Sequence, residues 1–265
     1  MADASILLKN VSLAFDDKVV LKDVSFELLP GHTKVILGGS GSGKSTILKL
    51  ILGLLKPDGG AVVVNGKRVD TMNEQALMAV RSDIGMVFQE GALFDSLTVE
   101  ENVGYKLLEE LGVPEEDAYK RVAEVLGFVG LEEFIDRMPS ELSGGQRRRV
   151  AIARAMAAKP DILLYDEATT GLDPITAMTV DEEMIKLRDL EGVTSIIVTH
   201  QLRDAFFVAT HEAMRHNSRI QISQADAQKA DEAEFIMLKD GVLCFEGNAS
   251  ELRASSDPYI RQFLS

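Results

Sequence analysis

GGSGSGKST, Gly38 to Thr46, is the stretch on which the reading of the whole chain turns. It fits the template GxxxxGK followed by Ser or Thr. Its flanks agree, because the apolar run Thr33 to Leu37 predicts a buried strand and Lys44 to Leu52 predicts a helix. Gly38, Gly39, Gly41 and Gly43, with Ser40 and Ser42 between them, let the backbone turn back on itself with amide N–H groups pointing inward, a shape that Cβ atoms would obstruct. Such amides suit phosphate oxygens, and the helix N-terminus adds about half a positive charge at the same point. Lys44 can reach β- and γ-phosphates, the Ser45 hydroxyl suits magnesium, and Thr46 continues the loop into the helix.

The 265 residues allow one large domain or one domain with an insertion, with no obvious linker. Charged residues are 26% and apolar residues 46%, an ordinary globular composition. Ile47 to Leu55 is short for a membrane span and carries Lys49, so the expectation is a soluble protein. MADASILLKN lacks the features of a signal peptide, and Cys244 is the single cysteine; both point to the cytoplasm. A net charge of −14 opposes broad binding to nucleic acid. The basic run Arg147, Arg148 and Arg149 sits at a predicted helix start and is expected to act locally.

Ile6 to Leu28 alternates in strand-like runs around a turn at Asp16 and Asp17. Phe15 and Val20 flank that turn; packing in the core is the ordinary expectation for a lone Phe, and stacking on an adenine ring is the other. KPDGG at Lys56 to Gly60 stops the first helix and leads into the strand AVVV. Glu74 to Arg81 predicts a short helix and Ile84 to Phe88 a buried strand ending at Gln89, whose amide oxygen could bind a metal or simply face water. Thr98 to Leu142 then carries helical periodicity in Val99 to Leu111 and Ala118 to Phe128, with a capping box from Thr98 to Glu101. Its acids, Glu109, Glu110, Glu115, Glu116 and Asp117, read as a solvated face.

LSGGQ, Leu142 to Gln146, opens a second helix with free amides and a serine hydroxyl, a second cradle for an anion. One nucleotide hardly needs two cradles, unless a head-to-tail dimer closes the second cradle of one subunit over the phosphate held by the other. Ile162 to Tyr165 predicts a buried strand ending in Asp166 and Glu167, where paired carboxylates are costly unless they bind a metal or activate water. GLDP at Gly171 to Pro174 introduces a helix, and the strand Thr194 to Val198 leads to His200, placed to donate to a γ-phosphate. The polar segment 211–234 is expected to be a surface excursion, partly helical or mobile. Phe235 to Lys239 and Val242 to Phe245 predict a hairpin through the turn DG, and Ala249 to Leu264 predicts two short helices split at Asp257 and Pro258.

Taken in order, these motifs resemble the nucleotide-binding subunits of ABC transporters over nearly the whole chain. The resemblance rests on the Walker A loop Gly38 to Thr46, Gln89 as the Q-loop, LSGGQ as the signature, Asp166 and Glu167 as Walker B, Asp173 as the D-loop and His200 as the switch histidine. It implies an α/β P-loop NTPase (RecA-like) core with an N-terminal antiparallel β subdomain and an inserted α-helical subdomain. The corresponding ranges are 1–90 with 159–265 for the core and about 91–158 for the helical part, with 211–234 as an insertion. It also implies Phe15 as the adenine-stacking aromatic with Val20 beneath the base, and Ser45, Gln89 and Asp166 as magnesium ligands. FQEGALFDSLTVEENV, LLYDEATTGLDPIT and SSDPYIRQFL narrow the likeness to the ATPases of Mce-associated, Mla-type lipid transport. Ala168 departs from that pattern where proline is usual, and the 211–234 segment is longer than usual.

The resemblance implies a homodimer sandwiching two ATP molecules, each held by one P-loop and capped by Ser143, Gly144, Gly145 and Gln146 of the other subunit. Glu167, His200 and Lys44 are then the catalytic residues. A membrane permease and an Mce-type substrate-binding protein are the implied partners, with the ATPase peripheral on the inner face of the cell membrane and no role for nucleic acid. An importer ATPase for another substrate such as amino acids, a non-transport ABC ATPase, and a P-loop kinase or GTPase are the competing expectations; LSGGQ opposes the last.

Overall fold

The computed structural model describes residues 4–216 and 219–265. Met1 to Asp3, part of the stretch read as lacking a signal peptide, and Asn217 and Ser218, within the predicted polar segment, lie outside the described residues.

Alternation of apolar and polar side chains makes two long strands of residues 6–28, β1 (Ile6–Phe15) and β2 (Lys18–Leu28). Asp16 turns between them at φ +50°. With β4 (Gly59–Val64) and β5 (Lys67–Arg68) they form an antiparallel sheet in the order β2-β1-β4-β5. The glycines of the predicted KPDGG stop belong to β4 itself. Gly60 runs so close to β1 that an added Cβ would meet the Lys9 carbonyl at 2.5 Å.

The central sheet is parallel and joins chain segments far apart in sequence. Its strands are β3 (Thr33–Gly38), β6 (Ile84–Val87), β7 (Ile162–Asp166), β8 (Thr194–Val198) and β11 (Ala233–Lys239), closed by the antiparallel edge strand β12 (Val242–Gly247) in the order β12-β11-β3-β8-β7-β6. β3 is buried along its whole length because β11 and β8 pair with its two edges and both faces are covered. Ile36 faces a core shared with the β1–β2 sheet and α1 (Lys44–Ile51). Val35 and Leu37 face the opposite layer, where α7 (Leu202–Thr210), α9 (Ala249–Ala254) and α10 (Pro258–Leu264) pack. Burial of each such side chain contributes about 1.5–3 kcal/mol.

Between β6 and β7 the chain is helical, as the periodicity predicts. After α2 (Glu74–Arg81) and β6 come α3 (Val99–Tyr105), α4 (Glu115–Phe128) and α5 (Gly144–Ala157). The capping box at Thr98 and Glu101 is formed. The helix expected over Val99 to Leu111 passes at Lys106 into a π turn, and the Lys106 ammonium donates to the carbonyls of Arg81 (3.3 Å) and Ser82 (3.1 Å) at the end of α2. The acids from Glu109 to Asp117 are exposed, as expected of a solvated face. α6 (Pro174–Glu191) runs from an Asp173 cap to Gly192 at φ +68°.

The 211–234 segment lies at the surface and is partly helical, as expected, but it also carries strands that the expectation lacked. β9 (His211–His216) and β10 (Arg219–Gln224) form an antiparallel hairpin, followed by the short helix α8 (Ala227–Ala230). Its anchor is a buried ion-pair group at the end of α6. Arg188 donates to the carbonyls of Val208 (2.8 Å) and His211 (2.6 Å), Asp189 accepts from the Ala213 amide (2.8 Å), and Lys229 reaches Asp189 at 3.0 Å. Among the described residues no helix is long and apolar enough to cross a membrane.

Candidate functional site

Because β3, β7 and β8 are parallel, their carboxyl ends lie on one edge of the sheet, where ligands bind in open α/β folds. From that edge come the glycine loop after β3, Asp166 and Glu167 at the end of β7, and His200 just after β8. Two glycines of the loop have no room for a side chain. A Cβ on Gly38, at φ +152°, would meet the Leu238 carbonyl at 2.5 Å, and one on Gly43, at φ +103°, would meet Leu21 Cδ2 at 2.7 Å. Gly41, at φ +76°, faces open space. Ser42 Oγ is buried with no partner of its own among the described residues.

Lys44 lies under this loop, with its ammonium donating to the carbonyls of Gly38 (2.8 Å) and Gly39 (3.0 Å). Burial pushes its pKa below the ordinary lysine value, although Glu167 and Asp166 pull it back. The Ser45 hydroxyl donates to Asp166 Oδ1 at 2.9 Å. Burial raises the Asp166 carboxyl above its usual range, against the stabilising hydrogen bond from Ser45. A hydroxyl beside a carboxylate is a hard oxygen pair of the kind magnesium takes, so these two residues fit the ion.

Glu167 adopts φ +51°, an unusual conformation for a residue with a Cβ, and its amide donates to Val198 O at 2.8 Å. That turn brings Glu167 Oε1 to 3.3 Å from His200 Nδ1 and 3.9 Å from Lys44 Nζ. Thr170, which sequence reasoning missed, donates to Glu167 Oε2 at 3.4 Å. Glu167 and Lys44 border an open cavity of about 300 Å³ lined also by Phe15, Val20, Ser40, Ser45 and Thr46, with Lys18 as a further residue the sequence reading did not single out. Phe15 is 48% exposed at the mouth, so the expectation that it packs in the core is wrong and a flat aromatic face is free for a base. The volume is at the lower limit of ordinary ligand pockets.

The remaining expected residues are not gathered at this cavity. Ser143 caps α5, its hydroxyl accepting from the Gln146 amide at 3.3 Å while Gln146 Oε1 accepts from the Ser143 amide at 2.8 Å. Asp173 caps α6 by accepting from the amides of Ile175 and Thr176, each at 3.1 Å. Gln89 is exposed two residues beyond the end of β6, in a neighbouring cleft of about 610 Å³ that also takes in Gly144, Arg148 and Thr170. Arg147, Arg148 and Arg149 act locally, as expected. Arg147 donates to Leu142 O, Arg148 to Ala168 O and Thr170 O, and Arg149 to Val129 O. Arg148 therefore ties the signature helix to the backbone just after Glu167, and Ala168 supplies the carbonyl without needing to be proline.

The family model described as ABC transporter matches residues 21–170. The chain is 37% identical over 272 residues to the Arabidopsis thaliana protein TRIGALACTOSYLDIACYLGLYCEROL 3, chloroplastic, covering 100% of this chain and 74% of the relative. It is 34% identical over 257 residues to the intermembrane phospholipid transport system ATP-binding protein MlaF of Escherichia coli K12, covering 97% of this chain and 87% of MlaF. Among solved structures, the dimeric post-hydrolysis state of the ATP-binding cassette MJ0796 bound to ADP and Pi superposes with a TM-score of 0.75 at 33% identity, covering 92% of this chain and 98% of that one.

Proposed function

This chain belongs to the ABC transporter family as an ATP-binding, ATP-hydrolysing subunit, and from that premise we propose that it drives phospholipid or another lipid through a separate membrane permease. The observation that carries the lipid reading is similarity over almost the whole chain, rather than over the nucleotide-binding motifs alone, to the phospholipid-transport ATPase MlaF.

In this reading the P-loop amides and Lys44 hold the β- and γ-phosphates, and Phe15 stacks on the adenine with Val20 beneath it. Ser45, Asp166 and Gln89 would hold a magnesium ion, which would supply charge neutralisation on the phosphates. Glu167 takes the proton of the attacking water, while His200, held beside it, donates to the γ-phosphate. The cavity of one chain is open, and its own LSGGQ segment does not line it. A second copy supplies the missing wall, with Ser143, Gly144, Gly145, Gln146 and Asp173 presented across the interface. The dimeric MJ0796 cassette supports that arrangement. The core comprises 1–90 and 159–265, the helical part about 91–158, and the subunit sits on the inner face of the cell membrane against its permease and an Mce-type substrate-binding protein.

Purification of the tagged chain from its own membranes tests the lipid reading. A permease that arrives with an Mce-type protein and with bound phospholipid is the expected result. An amino-acid permease with a soluble amino-acid-binding protein, or ribosomes or DNA in place of any permease, overturns it.

A further inference from the structure

Three consecutive arginines lie in the first turns of α5, and the middle one behaves differently from its neighbours. Arg147 and Arg149 donate to Leu142 O and Val129 O, both within the helical part of the chain. Arg148 instead crosses to the turn after β7, where Nε donates to Ala168 O at 2.8 Å and Nη2 to Thr170 O at 3.3 Å. It is 7% exposed, and burial pushes its pKa down, with Glu90 pulling it back and Arg147 adding to the fall. A buried charge is costly unless it is well bonded, and here both bonds go to main-chain carbonyls of one short turn.

Glu167 stands at the head of that turn. Its backbone is at φ +51°, a conformation that persists only where the surroundings over-determine it. Its carbonyl accepts from the Thr170 amide at 3.1 Å, and its Oε2 accepts from the Thr170 hydroxyl at 3.4 Å. Oε1 is thereby left on the side of His200 Nδ1, at 3.3 Å, and Lys44 Nζ, at 3.9 Å. A hydroxyl bond of 3.4 Å is long, so its aim depends on how firmly the Thr170 backbone is held. Arg148 is what grips that backbone from the LSGGQ helix. Arg148 and Thr170 line the neighbouring cleft rather than the nucleotide cavity, so both reach the chemistry through Glu167.

We propose that Arg148 and Thr170 position the general base: Arg148 fixes the turn at Ala168 and Thr170, and the Thr170 hydroxyl keeps Glu167 Oε2 occupied so that Oε1 faces the attacking water. The proposal rests on the reading of Glu167 as the group that accepts a proton from water. Its test is hydrolysis by the full chain carrying Arg148→Met, Thr170→Val or Thr170→Ser, the first two also combined, and each also joined to Glu167→Gln. Arg148→Met and Thr170→Val are each expected to lower kcat about tenfold, within the range that a misplaced catalytic group costs, while KM for ATP stays within about twofold. Thr170→Ser keeps the hydroxyl and should keep kcat. Combined, the two losses should not multiply, and neither substitution should further lower the slow residual rate of Glu167→Gln, read as labelled phosphate released over hours. A merely structural tie would raise KM, or slow the Glu167→Gln protein as much as the wild type. Either result overturns the proposal, as does an unchanged kcat in Arg148→Met or Thr170→Val, or an equal loss in Thr170→Ser. Should Arg148→Met fail to fold, Arg148→Lys takes its place with the same expected fall, since it keeps the charge but loses the two-pronged fork. Hydrolysis by Glu167→Gln at the wild-type rate would instead remove Glu167 from its role, and the proposal with it.

Discussion

His200 Nδ1 stands 3.3 Å from Glu167 Oε1, a contact that links residues just beyond the ends of two paired parallel strands, beside the cavity that Glu167 lines. Glu167 reaches it only because its own backbone is in the left-handed region, held there by the amide bond to Val198 O. The geometry suits a carboxylate that accepts a proton from water while the imidazole faces phosphate. Glu167→Gln keeps the volume and removes the base. Steady-state hydrolysis should fall about 100-fold or more while ATP affinity, read by fluorescent-nucleotide titration, stays within a few-fold. Hydrolysis near the wild-type rate removes Glu167 from the role.

Lys44 is buried and its charged form is disfavoured by that burial, so it is held in the fold at some cost rather than for stability. Lys44→Met should leave the melting temperature within a few degrees of wild type. The same variant should lose the stabilisation that saturating ATP gives the wild type, about 5–10 °C for a chain of this size at a hundredfold excess over Kd. An undiminished ATP-induced shift in the variant would contradict the placement of Lys44 on the phosphates.

Phe15 is half exposed and contributes little to the core. Phe15→Ala should therefore leave urea stability nearly unchanged and weaken ATP binding about tenfold, the scale of a lost base stack. Equal ATP affinity in the two proteins rules out stacking here.

Gly145 lies against Thr176 of α6, and a Cβ there would fall far inside contact distance of Thr176 Cγ2. Thr176 is fixed on the first turn of α6, where its backbone amide donates to Asp173 Oδ1 at 3.1 Å. Gly145→Ala should cost about 1–3 kcal/mol by urea unfolding, as overpacking does. Thr176→Ser in the same protein removes the clashing methyl and should recover most of the loss. No recovery would mean that the glycine is needed for backbone conformation rather than for space.

Asp181 on α6 is buried, and its pKa rises to about 8, first through burial and then through the neighbouring Asp204, against Arg203 and with Glu182 adding to the rise. The folded protein therefore holds this proton more tightly than the unfolded chain. Stability should decline as pH rises from about 4, where the unfolded carboxyl titrates, to about 8, where the folded one does. With each pH unit of displacement worth about 1.4 kcal/mol, the loss is on the order of 3 kcal/mol even after generous allowance for relaxation. Asp181→Asn should flatten that slope and gain most at pH 9. Parallel pH profiles for the two proteins would exclude Asp181 as its source.

The glycine loop, its strand and its helix were legible because each residue type there answers a local backbone demand. Asp166, Glu167 and His200 were legible as strand-end residues. The Phe15 side chain was not, since one aromatic at the end of a strand looks the same whether it packs inward or lines a cavity mouth. The hairpin at 211–224 escaped notice for a different reason. Its ladder holds few apolar residues, and the side chains that fix it, Arg188 and Asp189, belong to a helix some twenty-four residues earlier. Thr170 and Lys18 carry no pattern at all; only the folded chain brings them to Glu167 and Phe15.

Position 38 admits only glycine because the carbonyl of Leu238 stands where a side chain would be, and β3 lies between β8 and β11, strands made some 160 and 200 residues after it. During synthesis the phosphate-binding loop therefore emerges long before the two rails that shape it. A nascent chain stopped short of β11 carries the complete motif without the strand whose carbonyl abuts Gly38, so the motif is translated well before its full surroundings exist.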